Sequence, residues 1–168
     1  MQTWSGFYGV LAASAATLLG LLFVSVSIDL ASKSGAERSS SRKISEQAFQ
    51  NYVTVLLVSL VALIPDIESA TLGIASLGLT ATDTVLVLVR ILQVWRAPQA
   101  GRSRLQFLRR QGSSLLGFAM LFFSSIEMAL GNRQHFNLFA ASLIVLIASA
   151  TMVSWELLVH LSSGRKTG

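Results

Sequence analysis

Asp83 and Arg90 are the residues of this chain whose type and position most invite chemistry, because both lie within Ala70 to Trp95, a stretch long enough to cross a bilayer. An aspartate at the centre of a transmembrane helix costs roughly 2.5 to 3.5 kcal/mol on insertion scales, so it is turned to a partner, a cavity or an ion path. Seven residues make two helical turns to within about 20°, which puts both charges on one face, about 10.5 Å apart along the axis and out of direct contact. Thr80, Thr82 and Thr84 surround Asp83 in the sequence. This polar belt has two readings. It is either a coordination or proton-relay point for a cation, or a structural acid bonded by hydroxyls of neighbouring helices or kept protonated by desolvation.

Other charged residues offer weaker constellations. Glu127, near the end of a later apolar segment, either lines an outer vestibule or snorkels to the boundary. Glu156 and His160 share a helix face at i, i+4 and can hold a proton. A metal needs further ligands, and the other histidine, His135, sits at the opposite end of the same segment, so no metal site is expected. Between Arg96 and Gln111 the chain carries Arg96, Arg102, Arg104, Arg109 and Arg110 with no acid. Pro98 and Gly101 break the incoming helix, and Arg104 to Arg110 reads as a short amphipathic piece, with Leu105 and Leu108 on one side, suited to the headgroup layer. Arg102, Arg104, Arg109 and Arg110 then either bind anionic lipid headgroups, at about 1 kcal/mol each, or mainly fix orientation. There is no nucleophile elbow, Gly-rich phosphate loop, paired-histidine motif or cysteine, so neither an enzyme nor a bound cofactor is expected.

The elements that must position these residues follow from composition. Charged residues are 12% of the chain, against about 25% in an ordinary soluble domain, and apolar residues are 52%. Lipid is the solvent this implies. The expected fold is all-α: one domain, residues 1–168, an integral membrane bundle of five transmembrane helices spanning about 5–29, 48–64, 70–94, 113–130 and 138–161. The net charge of +5 falls between apolar segments and reads as a topology signal rather than a nucleic-acid surface.

The first helix is free of charge from Thr3 to Ile28, with no basic residue before it and too long an apolar run for a cleaved signal peptide. Gly9, Ala13, Ala16 and Gly20, with Ala12, follow small-xxx-small spacing that admits a close helix neighbour, within the bundle or in a second copy. Trp4, Phe7 and Tyr8 are expected in an interfacial aromatic belt. Asp29 to Gln47 reads as a solvated, Ser-rich basic connector. The second helix stops at Pro65 and reads as packing, with no polar chemistry beyond Thr54 and Ser59. Pro65 to Ser69 makes a tight acidic turn to the third.

Charge asymmetry sets an expected topology. Lys33, Arg38, Arg42 and Lys43 after the first helix, the five arginines from Arg96 to Arg110 after the third, and Arg165 and Lys166 in the tail share one side; Arg133 is opposite. The positive-inside rule puts the N-terminus outside and the C-terminus in the cytoplasm.

Trp4, Phe7 and the run Gly20-Leu21-Leu22-Phe23-Val24-Ser25-Val26-Ser27, with Pro65 closing the second helix and Trp155-Glu156 late in the last, resemble a group of small uncharacterised bacterial multi-span membrane proteins. The resemblance covers about one sixth of the chain, chiefly the first helix, and departs from the group's pattern where Asp29 replaces Asn. Such proteins are sometimes labelled modulators of a membrane-bound protease. The resemblance implies the bacterial cytoplasmic membrane and transfers no catalytic residue.

Two functions follow as expectations. The first is an oligomeric channel or small transporter whose polar site is Asp83, with Thr80, Thr84, Arg90, Glu127 and Glu156 as further polar points. The second is a non-catalytic accessory or scaffold protein that modulates a larger membrane partner. The bilayer, its anionic lipids and a second copy of the chain are the expected partners.

Overall fold

The computed structural model describes residues 2–32, 36–96, 101–131 and 136–164, with side chains described over 4–28, 45–81, 85, 89, 112–131 and 136–155. These residues form five α-helices: α1 (Gln2–Ser32), α2 (Ala36–Ala62), α3 (Ser69–Arg96), α4 (Gly101–Ala129) and α5 (Phe136–Gly164). No strand occurs among them. Three stretches are long and apolar enough to cross a membrane, Trp4–Ile28, Gly112–Ala129 and Phe136–Trp155, and Ser69–Ala81 is a shorter apolar one.

Two expected breaks are not where the sequence suggested. The connector expected over Asp29 to Gln47 is mostly helical, since α1 continues to Ser32 and α2 already begins at Ala36. Ala36 to Ala62 contains neither glycine nor proline, and its charged residues are adequate helix formers, so nothing there stops a helix once nucleated. The arginine-rich piece is likewise the first turns of a continuous α4 rather than a separate element. At 1.5 Å per residue, α2 extends about 15 Å beyond the exposed Glu46 toward its N-terminus.

The other boundaries have local causes. Pro65 cannot donate and disfavours helix in its predecessor, so α2 unwinds over Leu63 and Ile64, whose amides bond back to Ser59, Leu60 and Val61 carbonyls at 3.1 to 3.2 Å. Asp66 takes a left-handed φ of 55°, which Asp tolerates better than most residues. Gly131, at φ 85°, caps α4 with its amide 3.0 Å from the Met128 carbonyl.

Packing neighbours define the architecture. Helix α2 packs on α3, α3 on α4, α4 on α5 and α5 back on α2, a closed ring of four, while α1 lies on α2 and, more lightly, on α5. The ring is up-and-down. Its interior holds Val55, Val58, Leu72, Phe118, Leu121, Leu143 and Leu146, and α1 adds Tyr8, Leu11 and Ala15 against Phe139 and its neighbours. A second cluster of Leu22, Ala48, Tyr52, Ala150 and Val153 joins α1, α2 and α5. Outward faces carry exposed Val10, Phe23, Leu60, Ile74, Phe123, Ile144 and Met152, a distribution that lipid accommodates and water does not.

Close helix approach occurs at glycines other than those expected. A Cβ on Gly73 of α3 would stand 2.5 Å from the Ala129 amide nitrogen and 2.6 Å from the Ser125 carbonyl oxygen, so α3 and α4 touch backbone to backbone there. One on Gly117 would meet the Leu146 side chain at 2.8 Å, joining α4 to α5. On α1 the expected contact within the bundle does not form: a Cβ at Gly9 or Gly20 meets nothing within 4 Å, and Ala13 and Ala16 are exposed. Of the expected small residues Ala12 does face inward, beside Ala15. Tyr8 also leaves the expected aromatic belt: it is buried, with ring contacts to Phe7 at 5.2 Å and Phe139 at 6.4 Å.

Candidate functional site

A polar layer crosses the ring between α2, α4 and α5. Asn51 of α2 is fully buried and donates its Nδ2 proton to Ser114 Oγ of α4, across the diagonal of the ring. Beside it Ser113 Oγ of α4 and Ser149 Oγ of α5 lie 2.9 Å apart. The Tyr52 hydroxyl stands 3.2 Å from Thr151 Oγ1 and 3.4 Å from Ser154 Oγ. Thr151 and Ser154 already give their protons to the Ile147 and Ala150 carbonyls, so the single Tyr52 proton is what these two hydroxyl oxygens share. Apolar burial does not drive helices together in lipid, and interhelical hydrogen bonds of about 0.6 to 2 kcal/mol each set register in its place. Gln47, one turn before Asn51, is buried, and its Nε2 has no partner among the described residues.

A second group of hydroxyls sits nearer the α2–α3 turn. Ser59 of α2, Ser76 of α3 and Ser125 of α4 are fully buried, and among the described residues their hydroxyl oxygens have no hydrogen-bond partner. The backbone contact at Gly73 puts Ser76 and Ser125 at nearly the same depth on facing helices. Thr80, one turn further along α3, is fully buried and donates to the Ser76 carbonyl at 2.7 Å. A buried polar atom without a partner costs about 1 to 3 kcal/mol. Every buried polar side chain among the described residues is neutral. Apolar Phe118, Leu121, Leu143 and Leu146 close the ring around these hydroxyls.

The candidates named from the sequence distribute unevenly. Thr80 is in the interior, and Glu127 is half-buried in the last turn of α4. Thr82, Asp83, Thr84 and Arg90 belong to α3, Glu156 and His160 to α5, and Arg102, Arg104, Arg109 and Arg110 to α4, and the side chains of all ten, with that of Arg96, lie outside the described residues. The described part of α3 has two distinct faces. Ser69, Leu72, Gly73, Ser76 and Thr80 form the buried band of α3, while Thr71, Ile74, Gly78, Ala81, Val85 and Val89 are exposed. Ser69 and Ser76 are seven apart, and Asp83 and Arg90 continue that series along the sequence of α3.

Gln47, Asn51, Tyr52, Ser113, Ser114 and Ser149 were not singled out from the sequence. A signal was present for the first two: Gln47, Asn51 and Thr54 follow i, i+4, i+7 spacing, a polar stripe beside Val55 and Val58. It was hidden by the apolar composition of α2. Ser113 and Ser114 sit where the apolar part of α4 begins and read as a helix start. Among the described residues no three His, Cys, Asp or Glu side chains group as a metal site.

No protein-family model, curated protein or solved structure matches this chain.

Proposed function

We propose that this chain is an integral protein of the bacterial cytoplasmic membrane that moves a small cation across the bilayer, as an oligomeric channel or small transporter, with Asp83 as the charged point of the path. One observation carries the reading: a bundle suited to lipid buries neutral amides and hydroxyls through its ring, and several of them have no partner among the described residues. Such atoms weaken a purely structural core and suit one that receives a hydrogen-bonding guest. The apolar side chains Phe118, Leu121, Leu143 and Leu146 close the protomer axis, which favours a transport cycle in which they part over a permanently open pore. Cation uptake into proteoliposomes, compared between wild type and Asp83→Asn, tests the proposal. Equal uptake by both, or none by wild type, rejects it.

The outward face of α1 supports assembly. Gly9, Ala13, Ala16 and Gly20 recur every three to four residues with open space above the glycines, and a second helix can approach there closely. Replacing Ala16 or Gly20 by Leu is expected to shift the protein toward monomer in detergent, with the bundle intact because neither side chain points inward. Cross-linking in native membranes provides the readout. A wild type that stays monomeric at all densities removes self-association. The same face favours the second reading, an accessory protein docked on a larger membrane partner, and co-purification of one stoichiometric partner in place of a second copy decides for it.

Topology completes the proposal. With five crossings, the first turns of α2 and α4 and the end of α5 share the basic, cytoplasmic side, where their helical extensions bring the arginines through the headgroup layer. Reporter fusions are expected to be active outside the cell at Asp66 and inside at Gly168. The reverse pattern overturns the model.

A further inference from the structure

We infer that Ser76 of α3 and Ser125 of α4 hold an ordered water between them, a buried bridge that joins the two helices inside the ring. The inference stands apart from the transport reading. Depth brings the two serines together. Gly73 of α3 lies against the Ser125 to Ala129 turn of α4. Three residues along α3 from Gly73 is Ser76, and three residues back along the antiparallel α4 from the middle of that turn is Ser124, each about 4.5 Å away, so Ser76 and Ser125 differ in depth by about 1.5 Å. Both also face inward. Ser76 is fully buried on the band of Leu72 and Thr80, and Ser125 on that of Phe118 and Leu121.

A buried hydroxyl on a helix ordinarily gives its proton to a carbonyl about one turn back. Thr80 does so to Ser76 at 2.7 Å, Ser124 to Leu121 at 3.1 Å and Ser142 to Phe139 at 2.7 Å. Ser125 is denied that outlet, because the carbonyl four residues before it is that of Leu121, which already accepts from Ser124. The Ser76 and Ser125 hydroxyl oxygens have no hydrogen-bond partner among the described residues, each other included. Two such hydroxyls at one depth on facing helices call for a third group that both donates and accepts. Water meets both, reaching about 2.8 Å to either side, and buried waters take up about two to four otherwise unpaired polar groups in this way. The backbone contact at Gly73, one turn away, keeps α3 and α4 too close for a bulkier guest. Two neutral hydroxyls offset little of the cost of burying an ion.

Water-to-amide nuclear Overhauser spectra of the purified full chain in detergent micelles test the bridge. Wild type is expected to show cross-peaks from water to the amides of both Ser76 and Ser125. Ser76→Ala is expected to remove the peak at Ser125 as well as its own, and Ser125→Ala the converse, because one hydroxyl alone does not retain the water. Helicity and elution volume report folding, and either variant carries the test if the other misfolds. No peak in wild type overturns the bridge. So does a Ser125 peak that survives in Ser76→Ala, since it then comes from exchange of the Ser125 hydroxyl itself. Thermal unfolding gives a second readout. Either single variant is expected to lower Tm by roughly 2 to 4 °C, as the loss of one net hydrogen bond does in a chain of this size, and the double variant by no more than that, because the water is lost once. Singles that raise Tm, or shifts that add in the double variant, mark two independent hydroxyls and overturn the inference.

Discussion

Gly73→Ala is expected to destabilise the bundle, whereas the same change five residues away at Gly78 stabilises it. The added methyl at position 73 falls 2.5 to 2.6 Å from backbone atoms of α4, and backbone cannot swing aside as a side-chain tip can. The helices must separate. Overpacking of this kind costs about 1 to 3 kcal/mol in soluble cores, which for a chain of this size corresponds to roughly 2 to 12 °C in Tm. At Gly78 nothing lies within 4 Å of the new methyl, and replacing glycine in a helix interior recovers up to about 1 kcal/mol of helix propensity. Thermal unfolding in one detergent, followed by tryptophan fluorescence, compares the two. Equal shifts at both positions would show that α3 and α4 do not meet at Gly73.

The second large effect is at Asp83, where the functional readings part. On the transport reading, Asp83→Asn keeps size and hydrogen-bonding capacity but removes the charge, so cation flux falls by orders of magnitude while stability and assembly remain near wild type. Asp83→Leu also stops flux. On the structural reading the pattern inverts: the amide replaces the acid almost silently, and leucine leaves neighbouring polar groups unpaired at about 1 to 3 kcal/mol. Flux and Tm measured on the same two variants separate the cases. Wild-type protein that carries no ion at any voltage, together with a Leu variant that loses only stability, leaves the accessory reading.

Much of the fold is legible in the sequence because lipid imposes a simple rule, that long apolar segments become helices. All five helices were placed in order, and Pro65 marked the end of α2 to within three residues. The polar ends were misread because serine and charge suggest a loop, whereas helix persists in water when no glycine or proline interrupts it, as from Ala36 to Ala62. Packing partners were less legible. Gly9 and Gly20 have small-xxx-small neighbours yet a Cβ on either meets nothing within 4 Å, while Gly73, with Ser69 four residues before it, comes against the α4 backbone. Spacing along one helix does not encode which neighbour arrives. For the same reason Thr80 could be named as polar from its own segment, but the Asn51 to Ser114 bond, which joins residues 63 apart, could not.

The place of α1 outside the ring has a consequence for biosynthesis. Its inward aromatic Tyr8 packs on Phe139 of α5, far along the chain, so α1 must wait for α5 to be made before that contact can form. At about 5 to 20 residues per second the interval is on the order of 10 s. During it, the Tyr8 and Leu11 face of α1 is open to lipid and to any passing helix. A ribosome stalled before α5 therefore leaves a membrane intermediate with Tyr52 lacking its Thr151 and Ser154 partners and α2 missing one of its two neighbours in the ring. Such an intermediate displays the exposed polar and aromatic surface by which membrane quality control can recognise an unfinished chain.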